Sequence, residues 1–162
     1  MTAADYAPRR VLFVCTGNTC RSPMAAAICK ARLASRLGCN EAELPARGFV
    51  VESAGVMAAA GDAATFGAVE AARDFGADLG GHRSRPIDPG LLLGATDVLA
   101  MTHGHAAVLA LRYPEVRIAV GLLGGAGGDL PDPIGGDRAT YQACAAAIAG
   151  HLDRHITEWI GP

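Results

Sequence analysis

Val11-Leu12-Phe13-Val14-Cys15-Thr16-Gly17-Asn18-Thr19-Cys20-Arg21-Ser22-Pro23-Met24 decides the reading of the whole chain. An apolar run rich in Val and Phe leads into a short loop containing Gly17. Ser22 and Pro23 then open an Ala-rich segment, so the order is strand, turn, helix. Cys15 falls at the carboxyl end of the strand, where open α/β sheets bind ligands. Backbone N–H groups in such a loop can point inward as an anion-binding nest, and the following helix adds its dipole at the same spot. A dianion such as phosphate fits there. A Cys beside an Arg at a helix amino terminus ionises well below the ~8.5 of a free thiol, so a thiolate is expected at neutral pH. Arg21, with its planar fork of donors, can hold two phosphoryl oxygens at once and stabilise charge that develops on them.

The pattern Cys, five residues, Arg, Ser within a strand-loop-helix near the amino terminus resembles the low-molecular-weight protein phosphatase family. The resemblance implies that Cys15 attacks phosphorus, Arg21 binds the phosphoryl group, Ser22 hydrogen-bonds the thiolate and Asn18 holds the loop in shape. Thr16, Gly17, Asn18, Thr19, Cys20 and Ser22 would then make up the phosphate-binding loop. Ser22-Pro23 also reads as an ordinary helix cap and first-turn proline, and the two roles are compatible.

With 162 residues, 51% of them hydrophobic, one domain spanning 1–162 is expected, with residues 1–8 as a flexible tail. A net charge of −2 gives no basic footprint for nucleic acid. No uninterrupted apolar run is long enough to span a bilayer, and Met1 to Arg10 has no signal-peptide core. A soluble cytoplasmic protein without cofactor is expected, acting on a phosphorylated protein, with a monomer as the default. The five cysteines, at 15, 20, 29, 39 and 144, are odd in number and lack metal-type spacing, which points to reduced thiols. Cys20 shares the loop with Cys15, so an oxidant could join the two in a reversible disulfide that shields the nucleophile.

After the loop, Met24, Ala27, Ile28, Ala31 and Ala34 recur at helical spacing and Gly38 is a natural stop. Gly48 to Ser53 reads as a second strand ending in Ser53-Ala54-Gly55. By resemblance Ser53 hydrogen-bonds Asn18 from behind, although a Ser in a turn is also ordinary. A capped helix is expected from Gly61-Asp62 to Gly76, with Phe66, Val69, Ala72 and Phe75 packed into the core. In Gly81-His82-Arg83, the resemblance assigns His82 to the network behind the loop; Arg83 and Arg85 are candidates for lining the substrate's approach. Asp97 to Thr102 reads as a third strand, and His103 to about Arg112 as a helix ended by Pro114. His103 and His105 lie two apart without companion ligands, so no metal site is expected. Val116 to Leu123 reads as a fourth strand. Asp137 caps a final helix with Tyr141, Cys144, Ile148, Leu152, Ile156 and Trp159 on its core stripe. The alternation gives a doubly wound, four-stranded parallel sheet with helices on both faces.

Between Gly121 and Gly136 the chain is rich in glycine and enters Pro-containing sequence, so it fits no dinucleotide fingerprint and reads as a mobile loop. Phosphoryl transfer to Cys15 needs a proton for the leaving group, and hydrolysis of the thiophosphate needs a base. Asp129 and Asp132 are the candidates. The family's acid is an Asp before Pro, which selects Asp132 with Pro133. Thr19 stands where the tyrosine-specific branch has a branched apolar residue and the arginine-specific branch has Thr. Ile134, Gly135 and Gly136 offer no ring to sandwich a phenol. A Thr hydroxyl at the rim can pair with a guanidinium, whereas an alkyl group would leave its N–H groups unmatched. A protein-arginine phosphatase is therefore expected, with a tyrosine phosphatase as the alternative. Ile134, where the arginine branch often has an aromatic, is the departure. An arsenate reductase would need relay cysteines near the middle of the chain, where Cys29, Cys39 and Cys144 do not lie. A silent phosphoprotein-binding module would have no use for Asp132.

Overall fold

A computed structural model describes residues 7–117 and 119–162. Residues 1–6 of the expected tail, and Ile118 of the expected fourth strand, lie outside the described residues. Four strands, β1 (Arg9–Cys15), β2 (Phe49–Gly55), β3 (Asp97–Ala100) and β4 (Val120–Leu122), form one sheet in the order β2-β1-β3-β4. Every pairing is parallel.

β1 is central, and that explains its unbroken apolar run. Val11, Phe13 and Cys15 face one layer, with α1 (Arg21–Leu37), α2 (Phe66–Arg73) and α5 (Arg138–Ile160). Leu12 and Val14 face the other, with α3 (Pro89–Gly94) and α4 (His103–Arg112). A strand covered on both faces has no reason to alternate apolar with polar residues. The register sets Cys15 opposite Gly55 and Val14 opposite Ala100, so the carboxyl ends of β1, β2 and β3 finish together beneath the loop 16–20.

Gly38 ends α1 in the left-handed conformation, φ 63°, and Asp137 Oδ1 accepts from Thr140 N at 2.9 Å to cap α5. Three expectations are corrected. The helix expected from Gly61-Asp62 starts only at Phe66, capped by Thr65. Its delay has a cause: Asp62 bonds Ser84 through Asp62 N to Ser84 Oγ (2.9 Å) and Ser84 N to Asp62 O (2.8 Å), which holds the preceding segment extended. Phe66 is 76% exposed and does not join the core; Ala68, Ala71 and Ala72 do. The fourth strand is only Val120–Leu122, because its one partner is the short β3, against which it pairs at three positions. The six-residue α3, which has too few turns to show a period, was not foreseen.

Candidate active site

β1 delivers Cys15 and α1 delivers Arg21 and Ser22, so the geometry of the intervening loop sets the site. Among the described residues, no acceptor meets the N–H groups of Gly17, Thr19, Cys20, Arg21 or Ser22. Cys20 stands at the helix cap without a side-chain cap bond. A loop with unclaimed donors at a helix amino terminus is an anion site by construction.

Asn18 is the only non-glycine residue with positive φ among those described, at 56°. Such backbone costs about 1–3 kcal/mol and survives only where the surroundings impose it. Here they do. Asn18 is fully buried; its Nδ2 donates to Ser22 Oγ at 2.9 Å and Ser53 Oγ at 3.0 Å. Its Oδ1 accepts from Arg85 N at 2.9 Å, and its backbone O lies 2.7 Å from His82 Nε2. Burial, followed by the nearby cations Lys30, Arg83 and Arg85, holds His82 below its ordinary range despite the bond to Asn18. A neutral ring with Nε2–H then donates to that carbonyl. β2 crosses close behind: a Cβ on Gly55 would collide with Thr16 O and approach Asn18 N at 3.0 Å.

Cys15, 3% exposed, has Sγ 2.9 Å from Ser22 Oγ. Ser22 Oγ accepts from Asn18, and its own hydrogen has two acceptors in reach, Cys15 Sγ at 2.9 Å and Ala54 O at 3.4 Å. Arg21 is buried; Nη1 donates to Leu130 O at 2.9 Å and Nη2 lies 3.3 Å from Asp132 Oδ2. Cys15, Thr16, Gly17, Thr19, Cys20, Arg21, Asp132 and Ile134 line a cavity of about 140 Å³. Asp132 arrives on a half-exposed side chain, its Oδ1 accepting from Ile134 N at 3.1 Å, and Ile134 is 62% exposed.

The two aspartates of the glycine-rich segment are thus separated. Asp129 Oδ1 accepts from His103 N and meets His103 Nδ1, each at 2.7 Å, and the backbone bond chiefly holds its carboxyl below the usual range. It serves the start of α4, not the cavity. Cys20 Sγ lies 3.3 Å from Thr65 Oγ1 and 3.5 Å from Tyr141 Oη, which ties the loop to α2 and α5. Arg83 and Arg85 do not line the approach to Cys15. They border a separate cavity of about 470 Å³ behind the loop, and Arg85 also meets Glu52 at 3.5 Å.

One residue set aside in the sequence reading belongs here. His105 is 6% exposed, with Nε2 2.8 Å from Thr16 Oγ1 and Nδ1 3.0 Å from Thr102 Oγ1. Burial first, then Arg21, pushes it down to about 4. The pairing spans 89 residues of sequence, and its only signal was a His one turn into a helix that follows a strand end. Among the described residues no cluster suited to a metal ion is present.

Comparison with known proteins agrees with this geometry. The model of the family described as low molecular weight phosphotyrosine protein phosphatase matches residues 10–159. The protein-arginine-phosphatase of Geobacillus stearothermophilus is 39% identical over 91% of this chain and 93% of its own. The low molecular weight protein-tyrosine-phosphatase Wzb of Escherichia coli K12 is 34% identical over 92% and 91%. The solved YwlE arginine phosphatase from Geobacillus stearothermophilus superposes with a TM-score of 0.81 at 38% identity, over 94% of this chain and 93% of that one. A YwlE mutant with a phosphorylated active-site serine gives 0.80 at 37% identity, over 92% and 94%. A match from the first residues of β1 to the last turn of α5, on a chain that sets Cys15, Ser22 and Arg21 around one anion nest, leaves one assignment: this chain belongs to the low molecular weight phosphotyrosine protein phosphatase family.

Proposed function

We propose that the protein is a cysteine-dependent protein-arginine phosphatase that hydrolyses phosphoarginine through a phosphocysteine intermediate. The observation that carries this reading is the pocket wall: Thr16, Thr19 and Ile134 stand over Cys15 and Arg21, and among the described residues no aromatic ring joins them. A phenol leaving group would find no stacking partner there, whereas a guanidinium finds hydroxyl groups. Relatives on both branches carry the respective names, so the wall and not the family decides.

The phosphoryl dianion enters the amide nest and Arg21 grips two of its oxygens. Cys15 attacks phosphorus, the P–N bond breaks, and Asp132 gives its proton to the departing guanidine nitrogen. Asp132, now a carboxylate, takes a proton from water as that water attacks phosphorus. The P–S bond breaks, phosphate leaves, and Ser22 O–H steadies the released thiolate. Arg21 is held ready by Leu130 O and Asp132 before substrate arrives.

The test compares phosphate release from phosphoarginine and phosphotyrosine peptides. The reading predicts preference for phosphoarginine and a shift towards phosphotyrosine in Thr19→Ile. Preference for phosphotyrosine in the wild type would favour the tyrosine branch. We place the reaction in the cytoplasm, where a nucleophilic thiol stays reduced. Among the described residues no helix is long and apolar enough to cross a membrane. We also infer a redox brake: a peroxide oxidises Cys15 to the sulfenic acid, Cys20 sulfur attacks it with loss of water, and a dithiol restores both. Cys20 must leave Thr65 and Tyr141 to do so. Peroxide inactivation that is fully reversible by dithiothreitol in the wild type, and irreversible in Cys20→Ala, is the expected result.

A further inference from the structure

Thr19 is not the only hydroxyl at the pocket wall. Thr16 lines the same cavity, and its Oγ1 is held from behind by a buried imidazole, with His105 Nε2 at 2.8 Å. The ring is itself fixed at the other nitrogen, Nδ1 lying 3.0 Å from Thr102 Oγ1. Thr102 in turn accepts from His105 N at 3.2 Å as the cap of α4. Two threonines and one histidine, from two segments, thus form a chain that ends at the substrate pocket.

The ring's charge state limits this chain to two arrangements of hydrogens, one for each neutral tautomer. The charged groups that face His105 are Arg21, Asp132 and Asp129, and burial together with Arg21 outweighs the two carboxylates, so the ring is neutral at physiological pH. A neutral imidazole has one donor and one acceptor nitrogen. In one arrangement, Thr102 O–H donates to Nδ1 and Nε2–H donates to Thr16; in the other, Nδ1–H donates to Thr102, Nε2 is the acceptor and Thr16 donates its hydroxyl hydrogen to it. The oxygen lone pairs of Thr16 are then left facing the cavity with no hydrogen in the way. That is an acceptor, and the leaving group of phosphoarginine is a donor-rich guanidinium, whereas the bridging oxygen of phosphotyrosine carries no N–H.

We propose that His105 holds the Nδ1–H tautomer and that Thr16, oriented by it, is a second specificity-determining residue, its hydroxyl oxygen accepting a hydrogen bond from the guanidinium of the phosphoarginine side chain. The proposal rests on the protein-arginine phosphatase reading and extends it: Thr19 and Thr16 flank the substrate nitrogen, and His105 is a positioning residue that touches neither substrate nor nucleophile.

The experiment measures kcat/KM on phosphoarginine and phosphotyrosine peptides of one sequence for wild type, Thr16→Val, His105→Leu and His105→Gln. Val keeps the shape of Thr16 and removes only the hydroxyl, and the thermal midpoint reports that each variant is folded. Leaving guanidinium N–H groups unpaired predicts that Thr16→Val lowers the ratio of kcat/KM on phosphoarginine to that on phosphotyrosine by about tenfold. His105→Leu reproduces that selective loss. His105→Gln, whose side-chain carbonyl can still accept from Thr16, restores most of it. An equal fall on both substrates, or an unchanged ratio in Thr16→Val, overturns the proposal and leaves the Thr16–His105 pair as loop support. A wild type inactive on phosphoarginine overturns the underlying reading, and this inference with it; a wild type that prefers phosphoarginine, shifts in Thr19→Ile and does not shift in Thr16→Val overturns this inference alone.

Discussion

Residues 16–20 and residues 124–136 meet over the same sulfur and are built on opposite plans. The first loop is tied down through its side chains and most of its carbonyls, while the N–H groups of Gly17, Thr19 and Cys20 stay unclaimed among the described residues: Asn18 alone makes four hydrogen bonds, to Ser22, Ser53, Arg85 and His82, and Thr16 meets His105. The second is largely exposed and bends through glycines with positive φ at 125, 128 and 135. It is pinned chiefly at two adjacent residues, Asp129, which meets His103 N and Nδ1 at 2.7 Å, and Leu130, whose N–H donates to Met101 O at 2.9 Å and whose carbonyl accepts from Arg21 at 2.9 Å. The division matches the chemistry proposed for each. A nest that must present fixed dipoles to a dianion gains from having no freedom, because donors already in place need no reorganisation as charge develops. A carboxyl group that must give up a proton and then take one from water works from a loop that can adjust around it.

Breaking the rigid loop should therefore cost chemistry most. Cys15→Ser is expected to lower kcat by about 10⁴-fold or more, measured as phosphate release, since no other group on the chain replaces the nucleophile. Arg21→Ala should cost about 10³-fold in kcat by removing the guanidinium that stabilises transition-state charge. Asp132→Asn, on the adaptable loop, should cost about 10²-fold, and its thermal midpoint should stay within about 2 °C of wild type because its side chain is half exposed. Asn18→Ala sharpens the contrast from the other side. It touches no reacting atom, yet losing its side-chain bonds in a left-handed backbone should destabilise the fold by about 2–4 kcal/mol in denaturant titrations. The smallest effect is a pH signature of His105. Its folded value, about 4, lies below the ~6.5 of an unfolded histidine, so the unfolded chain binds the extra proton first. Stability should be fully present above ~6.5 and fall as pH drops towards 4, and His105→Gln should flatten that slope.

The same contrast explains what could be read in advance. Strand, loop and helix from Val11 to Met24 were legible because burial on both faces, an anion nest and a nucleophile each leave a mark in local sequence. Asp132 was legible only through the adjacent Pro133 and a family resemblance, since an exposed glycine-rich loop carries no periodicity to say where it folds back. Phe66 misled for a related reason: helical spacing predicted a buried face, but the Asp62–Ser84 backbone pairing delays the helix until Thr65 and leaves the ring outside. His105 was invisible because its partner is 89 residues away, and sequence spacing carries no record of a contact made by strand order.

All of this rests on Cys15 sulfur becoming covalently joined to phosphorus, and intact-protein mass spectrometry of Asp132→Asn after rapid mixing with a phosphoarginine peptide tests it directly. With the base removed, hydrolysis of the intermediate slows. The account predicts a phosphoryl adduct that maps to Cys15 and is missing when Cys15→Ala is added. Phosphate release without any adduct on Cys15, or an adduct on another residue, would contradict it.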